Sequence, residues 1–261
     1  MAFVDLEGGR FRYELDGPRD APVLVLSNSL GTDLSMWQPQ LAAFTSRLRV
    51  LRYDQRGHGE SAVTPAPYTM EQLGRDVLRL LDALGIERAS FCGISMGGAT
   101  GMWLGVNAPE RLDKLVLCNT GARIGTAELW NARIAAVRQS GTAGIAQGLM
   151  ERWFTPAFRE REPQTVERMR RIVERTSTEG YVGCCEAIRD HDERGTVSRI
   201  RLPTLVIAGT QDVATPPADG RFLAERIPGS RYLELDVAHL SNIEMPREFN
   251  DAVLRFLAEG N

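Results

Sequence analysis

The 261-residue sequence is short of several residue types, and each shortage limits what the chain can do. Lysine occurs once, at Lys114, so arginine supplies nearly all the cations, and 31 basic against 34 acidic residues give a net charge of -3. Because no excess of positive charge exists, we expect no binding to nucleic acid or to anionic membranes. A small molecule is the expected partner.

Long hydrophobic runs are also missing. No apolar stretch approaches the ~20 residues that span a bilayer. Segment 1–13 has neither the basic start nor the apolar centre of a signal peptide. We therefore expect a soluble, cytoplasmic protein.

Cysteine and histidine are scarce, with four and three residues. Cys92 and Cys118 lie in strand-like apolar runs, whereas Cys184 and Cys185 are adjacent, where a mutual disulfide would be strained. Free thiols are expected, and an inert, buried Cys92 is favoured over a catalytic one. The histidines are too scattered for a metal site, so no metal is expected.

Short apolar runs alternate with amphipathic stretches such as 70–84, which predicts a parallel sheet with crossover helices. The strand-like runs are 23–27, 50–53, 89–92, 115–118, 205–208 and 232–235. Segments 2–6 and 10–15, joined at Gly8-Gly9, predict an initial antiparallel pair.

This alternation stops after Cys118. Between 124 and about 197 the pattern is helical and charged, with predicted helices at 128–139, 143–154, 163–176 and 179–189. The predicted fold class is α/β, with a mostly parallel sheet flanked by helices and an inserted all-helical cap. We expect residues 1–121 and 199–261 to form the core and residues 122–198 the cap, or lid.

The strongest local signal is Gly93-Ile94-Ser95-Met96-Gly97, which lies between a predicted strand and a predicted helix. In a strand-turn-helix elbow, a serine between small residues is exposed above the sheet as a nucleophile. The same letters also occur in ordinary glycine-rich turns. The flanking strand and helix favour Ser95 as the nucleophile.

A serine nucleophile needs a base, and only three histidines are available. His239 follows the last strand-like run and is the candidate. His58 lies in the glycine-flanked loop 54–61 and is expected to stabilise it. His191, between Asp190 and Asp192, is expected at the surface.

An acid that orients the base should come between serine and histidine in the chain, after a strand. Asp212 follows the run 205–208 and fits this order. Asp236 competes because it is near His239 in sequence. The chain order, combined with the position of each residue after its own strand-like run, favours Asp212.

Acyl transfer also needs N–H donors for the tetrahedral oxyanion. The N–H of Met96, directly after the nucleophile, is one candidate. The second is the N–H of Leu30, in the loop after the first long strand, with Asn28 and Ser29 shaping that loop.

These residues resemble the α/β-hydrolase superfamily along the whole core, through the elbow, the stretch 54–61 and the late Asp and His. More narrowly, stretches 27–37, 92–98, 118–120 and 238–244 resemble 3-oxoadipate enol-lactonases, although most relatives carry His-Gly where this chain has Asn28 and Ser29. The resemblance implies a cofactor-free serine hydrolase that opens the enol-lactone ring to 3-oxoadipate in protocatechuate and catechol degradation.

That lactone carries a free carboxylate, so its pocket needs a cation beside an apolar wall. Trp130 and Arg133 lie three residues apart on the first predicted cap helix and would share a face. They are the candidate wall and carboxylate partner. Core packing for Trp130 and a solvated surface for Arg133 is the alternative.

Other functions use the same residues. A broad carboxylesterase or a cofactor-free haloperoxidase-like perhydrolase would have the same triad, and a carbon–carbon bond hydrolase is a third possibility. Outside enzymes, the chain could be a non-catalytic ligand-binding protein of hydrolase fold. The complete set Ser95, Asp212 and His239 argues for an enzyme. No pattern predicts an oligomeric state.

Overall fold

A computed structural model describes residues 2–259. Its centre is an eight-stranded sheet of order β1-β2-β4-β3-β5-β6-β7-β8. The pairs β1–β2 and β2–β4 are antiparallel and the other pairs are parallel, which confirms the predicted sheet. The strands are β1 Ala2–Leu6, β2 Gly9–Asp16, β3 Val23–Ser27, β4 Arg49–Tyr53, β5 Ala89–Ile94, β6 Leu112–Cys118, β7 Thr204–Gly209 and β8 Arg231–Leu235.

Helices cover the sheet and its carboxyl edge. They are α1 Leu41–Phe44, α2 Met70–Ala83, α3 Met96–Asn107, α4 Ala127–Ser140, α5 Ala143–Trp153, α6 Pro156–Arg161, α7 Pro163–Arg175, α8 Thr178–Asp190, α9 Pro217–Arg226, α10 Ser241–Glu244 and α11 Pro246–Ala258. Short 3-10 turns occupy Leu34–Gln40, Pro109–Arg111 and Val197–Arg199. Within residues 2–259, no helix is both long and apolar enough to cross a membrane.

Helix α2 illustrates how the sequence produces a crossover helix. Its N-terminus is capped by Thr69, whose hydroxyl accepts the N–H of Gln72 at 3.1 Å. Leu73, Val77 and Leu80 repeat at helical spacing and are buried. The stripe therefore packs on the sheet while the opposite face remains polar.

Five helices, α4 to α8, lie between β6 and β7, in the segment predicted to form the cap. The predicted helices correspond to α4, α5, α7 and α8, whereas α6 was not predicted. Its six residues are too few to show a periodic pattern, but Pro156 in the first turn and the Thr155 hydroxyl, which accepts the Phe158 N–H at 3.2 Å, start a helix there. We propose that residues 122–198 form the cap.

All four cysteines are free, as predicted, and all four are buried. The sulfurs of Cys92 and Cys118 are 4.0 Å apart. Burial raises the pKa of the Cys118 thiol well above its ordinary value. A neutral thiol is a poor nucleophile, so this pair contributes packing.

The prediction that His191 lies at the surface is wrong. His191 is buried, and its Nε2 has no hydrogen-bond partner among the described residues. The segment turns inward because Glu193 N donates to Ala122 O at 2.7 Å, which ties the end of the cap to the loop after β6. The acidic neighbours suggested exposure, but this backbone contact decides the position.

Protonation of His191 is expected to destabilise the fold in mild acid. Burial lowers its pKa to about 4, while an unfolded histidine titrates near ~6.5. Between these values the unfolded chain binds a proton that the folded chain does not, so the free energy of unfolding falls as the pH falls. His58, with its pKa lowered to about 4 by burial, acts in the same direction.

Urea unfolding at a series of pH values tests this. His191→Gln should reduce the slope of unfolding free energy against pH by up to about 1.4 kcal/mol per pH unit between the two pKa values. A variant with the parent slope would show that His191 takes up its proton over the same pH range in the folded and the unfolded chain.

Candidate active site

Ser95 lies in the sharp turn between β5 and α3. Its φ of 57° and ψ of -115° are strained for a residue with a side chain. A Cβ atom at Gly93 would lie 2.2 Å from the carbonyl oxygen of Gly97, and one at Gly97 would lie 2.2 Å from that of Ser27. Both positions therefore require glycine. Ser95 N donates to Cys118 O at 2.9 Å, which fixes the turn against β6.

Asp212 and His239 follow β7 and β8, at the same sheet edge as Ser95. His239 Nδ1 is 2.8 Å from Asp212 Oδ2. The carboxylate also accepts hydrogen bonds from Thr215 N at 3.0 Å and Oγ1 at 2.7 Å, Ala214 N at 2.8 Å and Asn119 Nδ2 at 3.1 Å. An ionised Asp212 would keep the imidazole proton on Nδ1 and leave Nε2 to accept a proton from serine.

The surroundings of Asp212 favour its ionised form. Burial raises the pKa of this carboxyl, but electrostatic attraction to the His239 imidazole and the hydrogen bonds from His239 and Thr215 outweigh burial and hold the pKa below its ordinary value. The alternative acid, Asp236, is exposed, and its Oδ1 accepts hydrogen bonds from Thr210 at 2.8 Å and Gln211 at 3.0 Å. The structure thus places Asp212, and not Asp236, against the imidazole.

The loop that carries Leu30 is held by buried side chains. Asn28 Nδ2 donates to Tyr53 O at 2.8 Å, and Asn28 Oδ1 accepts from Trp37 Nε1 at 2.9 Å. Leu30 lines the same cavity as Ser95 and His239. Met96 is the first residue of α3, where N–H groups lack an acceptor within the helix. Of the two candidate oxyanion donors, Met96 therefore directly follows Ser95 in the chain, and Leu30 lies in the wall of the cavity that contains Ser95.

His58 stabilises its own loop, as predicted, and also reaches the Leu30 loop. Its Nδ1 lies 3.2 Å from Arg56 O, and its Nε2 accepts the Gly31 N–H at 2.9 Å. Because one ring nitrogen faces a carbonyl and the other faces an N–H, this geometry requires the neutral tautomer protonated on Nδ1. The pKa near 4 keeps that form at neutral pH.

A cavity of about 530 Å³, including its open mouth, lies between the catalytic edge and the cap. Trp130 and Arg133 both line it, so the two side chains lie on the same side of their helix. Trp130 is buried and its Nε1 donates to Ile124 O at 2.6 Å, while Arg133 Nη1 donates to the Tyr181 hydroxyl at 3.2 Å. The remaining lining residues are Ser29, Leu30, Ser95, Ile124, Gly125, Leu129, Leu149, Arg152, Trp153, Tyr181, Ala214 and His239.

Arg152 is a second cation in this cavity, and its place there was not predicted from the sequence. Burial lowers the pKa of Arg152, and the charge of Arg133 lowers it further. Among residues 2–259, neither arginine lies within salt-bridge distance of a carboxylate. The only hint in the sequence was that Arg152 precedes Trp153 near the end of a cap helix.

The family model of the alpha/beta hydrolase fold matches residues 22–246. The chain belongs to the α/β-hydrolase family. This hydrolase is 49% identical over 241 residues to 3-oxoadipate enol-lactonase 2 of Acinetobacter baylyi, covering 92% of this chain and 90% of that one. It is 42% identical to 3-oxoadipate enol-lactonase 1 of the same organism, covering 95% and 93%.

A solved structure supports the same relationship. The crystal structure of the enol-lactonase from Burkholderia xenovorans LB400 superposes on this hydrolase with a TM-score of 0.98 and 48% identity. The match covers 99% of this chain and 100% of the other. The similarity therefore includes the cap segment as well as the core.

Proposed function

We propose that this hydrolase opens the ring of 3-oxoadipate enol-lactone to give 3-oxoadipate. The observation that carries the proposal is the cavity, whose lining includes Ser95 and His239 together with two arginines that have no carboxylate partner among residues 2–259. It agrees with the similarity to two enol-lactonases over nearly the whole chain. A hydrolase for neutral esters would gain nothing from two partly desolvated cations.

In the first half-reaction, Ser95 Oγ attacks the lactone carbonyl while His239 Nε2 removes the hydroxyl proton. The oxyanion receives the N–H groups of Leu30 and Met96. Collapse of the tetrahedral intermediate breaks the ring C–O bond and expels the enolate, which takes the proton from the His239 imidazolium to give an enol that tautomerises to the ketone. The enolate is a good leaving group. It remains attached to Ser95 through the acyl group, because the leaving oxygen and the acyl carbon of a lactone belong to the same molecule.

In the second half-reaction, His239 activates a water molecule that attacks the acyl-enzyme. The same two N–H groups hold the second oxyanion, and Ser95 regains its proton from the imidazolium. Asp212 keeps the imidazole oriented through both steps. The product leaves with two carboxylates, one from the substrate and one newly formed.

A direct comparison tests the proposed substrate. Enzymatically generated enol-lactone is supplied and its ultraviolet absorbance followed, beside nitrophenyl acetate. We expect kcat/KM for the lactone to exceed that for the neutral ester by about 10-fold to 150-fold or more, the factor from one charge-assisted contact of about 1.5–3 kcal/mol. Equal values would indicate a broad carboxylesterase.

The arginines should affect only the charged substrate. Arg133→Met and Arg152→Met are each expected to weaken transition-state binding of the lactone by about 1.5–3 kcal/mol, because each removes a charge-assisted hydrogen bond to its carboxylate. Hydrolysis of the neutral ester should stay near the parent rate. Arg133→Lys should restore only part of the loss, since an ammonium lacks the planar fork.

Arg138→Met serves as the matched control. Arg138 lies on the same helix, is exposed and pairs with Glu186 at 3.2 Å. It does not line the cavity, so both substrates should react at the parent rate. Equal losses on lactone and ester in Arg133→Met would instead indicate a disturbed cap and would remove Arg133 from the binding site.

A further inference from the structure

The loop that carries the general base is bonded to the cap as well as to the core. The N–H groups of His239 and Leu240 both donate to the carbonyl oxygen of Trp153, at 3.1 and 3.2 Å. Trp153 is the last residue of α5, where helix carbonyls have no partner within the helix. The end of this cap helix therefore supplies the acceptor for the backbone of the base.

A buried carboxylate makes a second link at the same place. Glu244, at the end of α10, is 7% exposed. One of its oxygens, Oε2, accepts the N–H of Ala238 at 3.1 Å, the residue directly before the base. Its carboxylate also accepts the Thr155 N–H at 3.3 Å and the Thr155 hydroxyl. Thr155 lies between α5 and α6 in the cap.

No step of the proposed reaction uses Glu244, and neither Glu244 nor Thr155 lines the cavity. Leaving a buried carboxylate without donors is costly, so the three donors and the carboxylate are held in one arrangement. That arrangement fixes the distance between the start of α6 and the residue before His239. The cap and the imidazole thus cannot move independently.

We propose that Glu244 is a positioning residue that, with Thr155 and the Trp153 carbonyl, makes the cap hold the general base in place. The cap then contributes to every proton transfer, including those on substrates that make no contact with the arginines. This inference rests on His239 as the base, which is part of the proposed function, but not on the identity of the lactone.

Thr155→Val tests the link without altering the cavity wall. The valine keeps the shape of threonine but cannot donate to Glu244, so the base loop loses one of its ties. We expect kcat for the neutral ester to fall about tenfold with little change in KM, within the ~100-fold that a misplacement of 1 Å can cost. Inactivation of Ser95 by a sulfonyl fluoride, which also needs the base, should slow by a similar factor.

Three further variants separate positioning from folding. Thr155→Ser keeps the hydroxyl and should recover most of the rate. Thr69→Val removes a comparable helix cap on α2, far from the base loop, and should leave kcat unchanged even if it lowers stability. Glu244→Gln should lose activity like Thr155→Val, because its NH₂ group must face one of the backbone N–H donors.

Each rate is divided by the fraction of folded protein, which is taken from an unfolding curve, so that a loss of folded enzyme is not counted as a loss of catalysis. The inference would be overturned if Thr155→Val lost activity on the lactone alone. It would also be overturned if Thr155→Val and Glu244→Gln both reacted with the ester and the sulfonyl fluoride at the rates of the parent protein. Failure of the parent protein to hydrolyse the lactone would reject the proposed substrate alone, since the ester and the sulfonyl fluoride still report on the base.

Discussion

Replacement of Ser95 by alanine is expected to reduce kcat by about a million-fold on both the lactone and the neutral ester, with the fold intact. The hydroxyl forms the acyl-enzyme, and no neighbouring group can replace it. In a serine hydrolase, losing the nucleophile or the base alone costs about as much as losing the whole triad, since the members act as one unit. His239→Ala should therefore match Ser95→Ala, and the double variant should be hardly worse.

Stopped-flow and steady-state assays on lactone and ester measure this loss, with thermal unfolding as the check on folding. Ser95 is strained at φ 57°, so alanine, which has the same backbone preference, retains the strain and should leave the melting temperature close to that of the parent. Substantial activity in folded Ser95→Ala would refute the acyl-enzyme. If the parent protein turns the lactone over and the folded Ser95→Ala variant only binds it, the protein is an enzyme. A ligand-binding protein would not need the hydroxyl, and the variant would behave like the parent.

The sequence predicted the elbow and the triad because each depends on local chemistry and chain order. Gly93 and Gly97 are required by close backbone contacts, and such contacts leave a recognisable pattern. Asp212 could be chosen over Asp236 because it follows β7, so that nucleophile, acid and base each come after a different strand, and a parallel sheet brings the ends of β5, β7 and β8 to one edge. These features follow from strand positions, which short apolar runs reveal.

The packing of the cap was less predictable. Periodicity predicts that a segment is helical and which face is apolar, but not how the helix is oriented on the core or which side chains reach the cavity. Arg152 looked like an ordinary helix arginine, and its place in the cavity depends on how α5 lies over the sheet edge. The acidic neighbours of His191 predict a surface position, whereas the residue is buried in a segment that a backbone hydrogen bond from Glu193 to Ala122, 71 positions apart in the chain, ties to the loop after β6. The link from Glu244 to Thr155 spans 89 positions and has no local signature.

Asp212→Asn is expected to reduce kcat by about a thousand-fold to ten-thousand-fold, whereas Asp236→Asn should change it only slightly. The asparagine is nearly isosteric, so the loop after β7 should survive. Its amide, however, can donate a hydrogen bond to His239 Nδ1, which favours the tautomer with the proton on Nε2. That tautomer cannot accept the serine proton, and the charge that stabilises the imidazolium is gone as well.

Asp236→Asn is the matched control for this change. It removes the same charge from the neighbouring loop, but Asp236 bonds only to Thr210 and Gln211 among the described residues and is exposed. The charge of an exposed carboxylate is screened by water, so Asp236 contributes little to the stability of the imidazolium. Steady-state kinetics of both variants on the neutral ester decide the assignment, since the ester does not depend on the arginines. If Asp236→Asn proved the more damaging change, the orienting acid would have to be Asp236, and the 2.8 Å contact between Asp212 and His239 would not be the catalytic one.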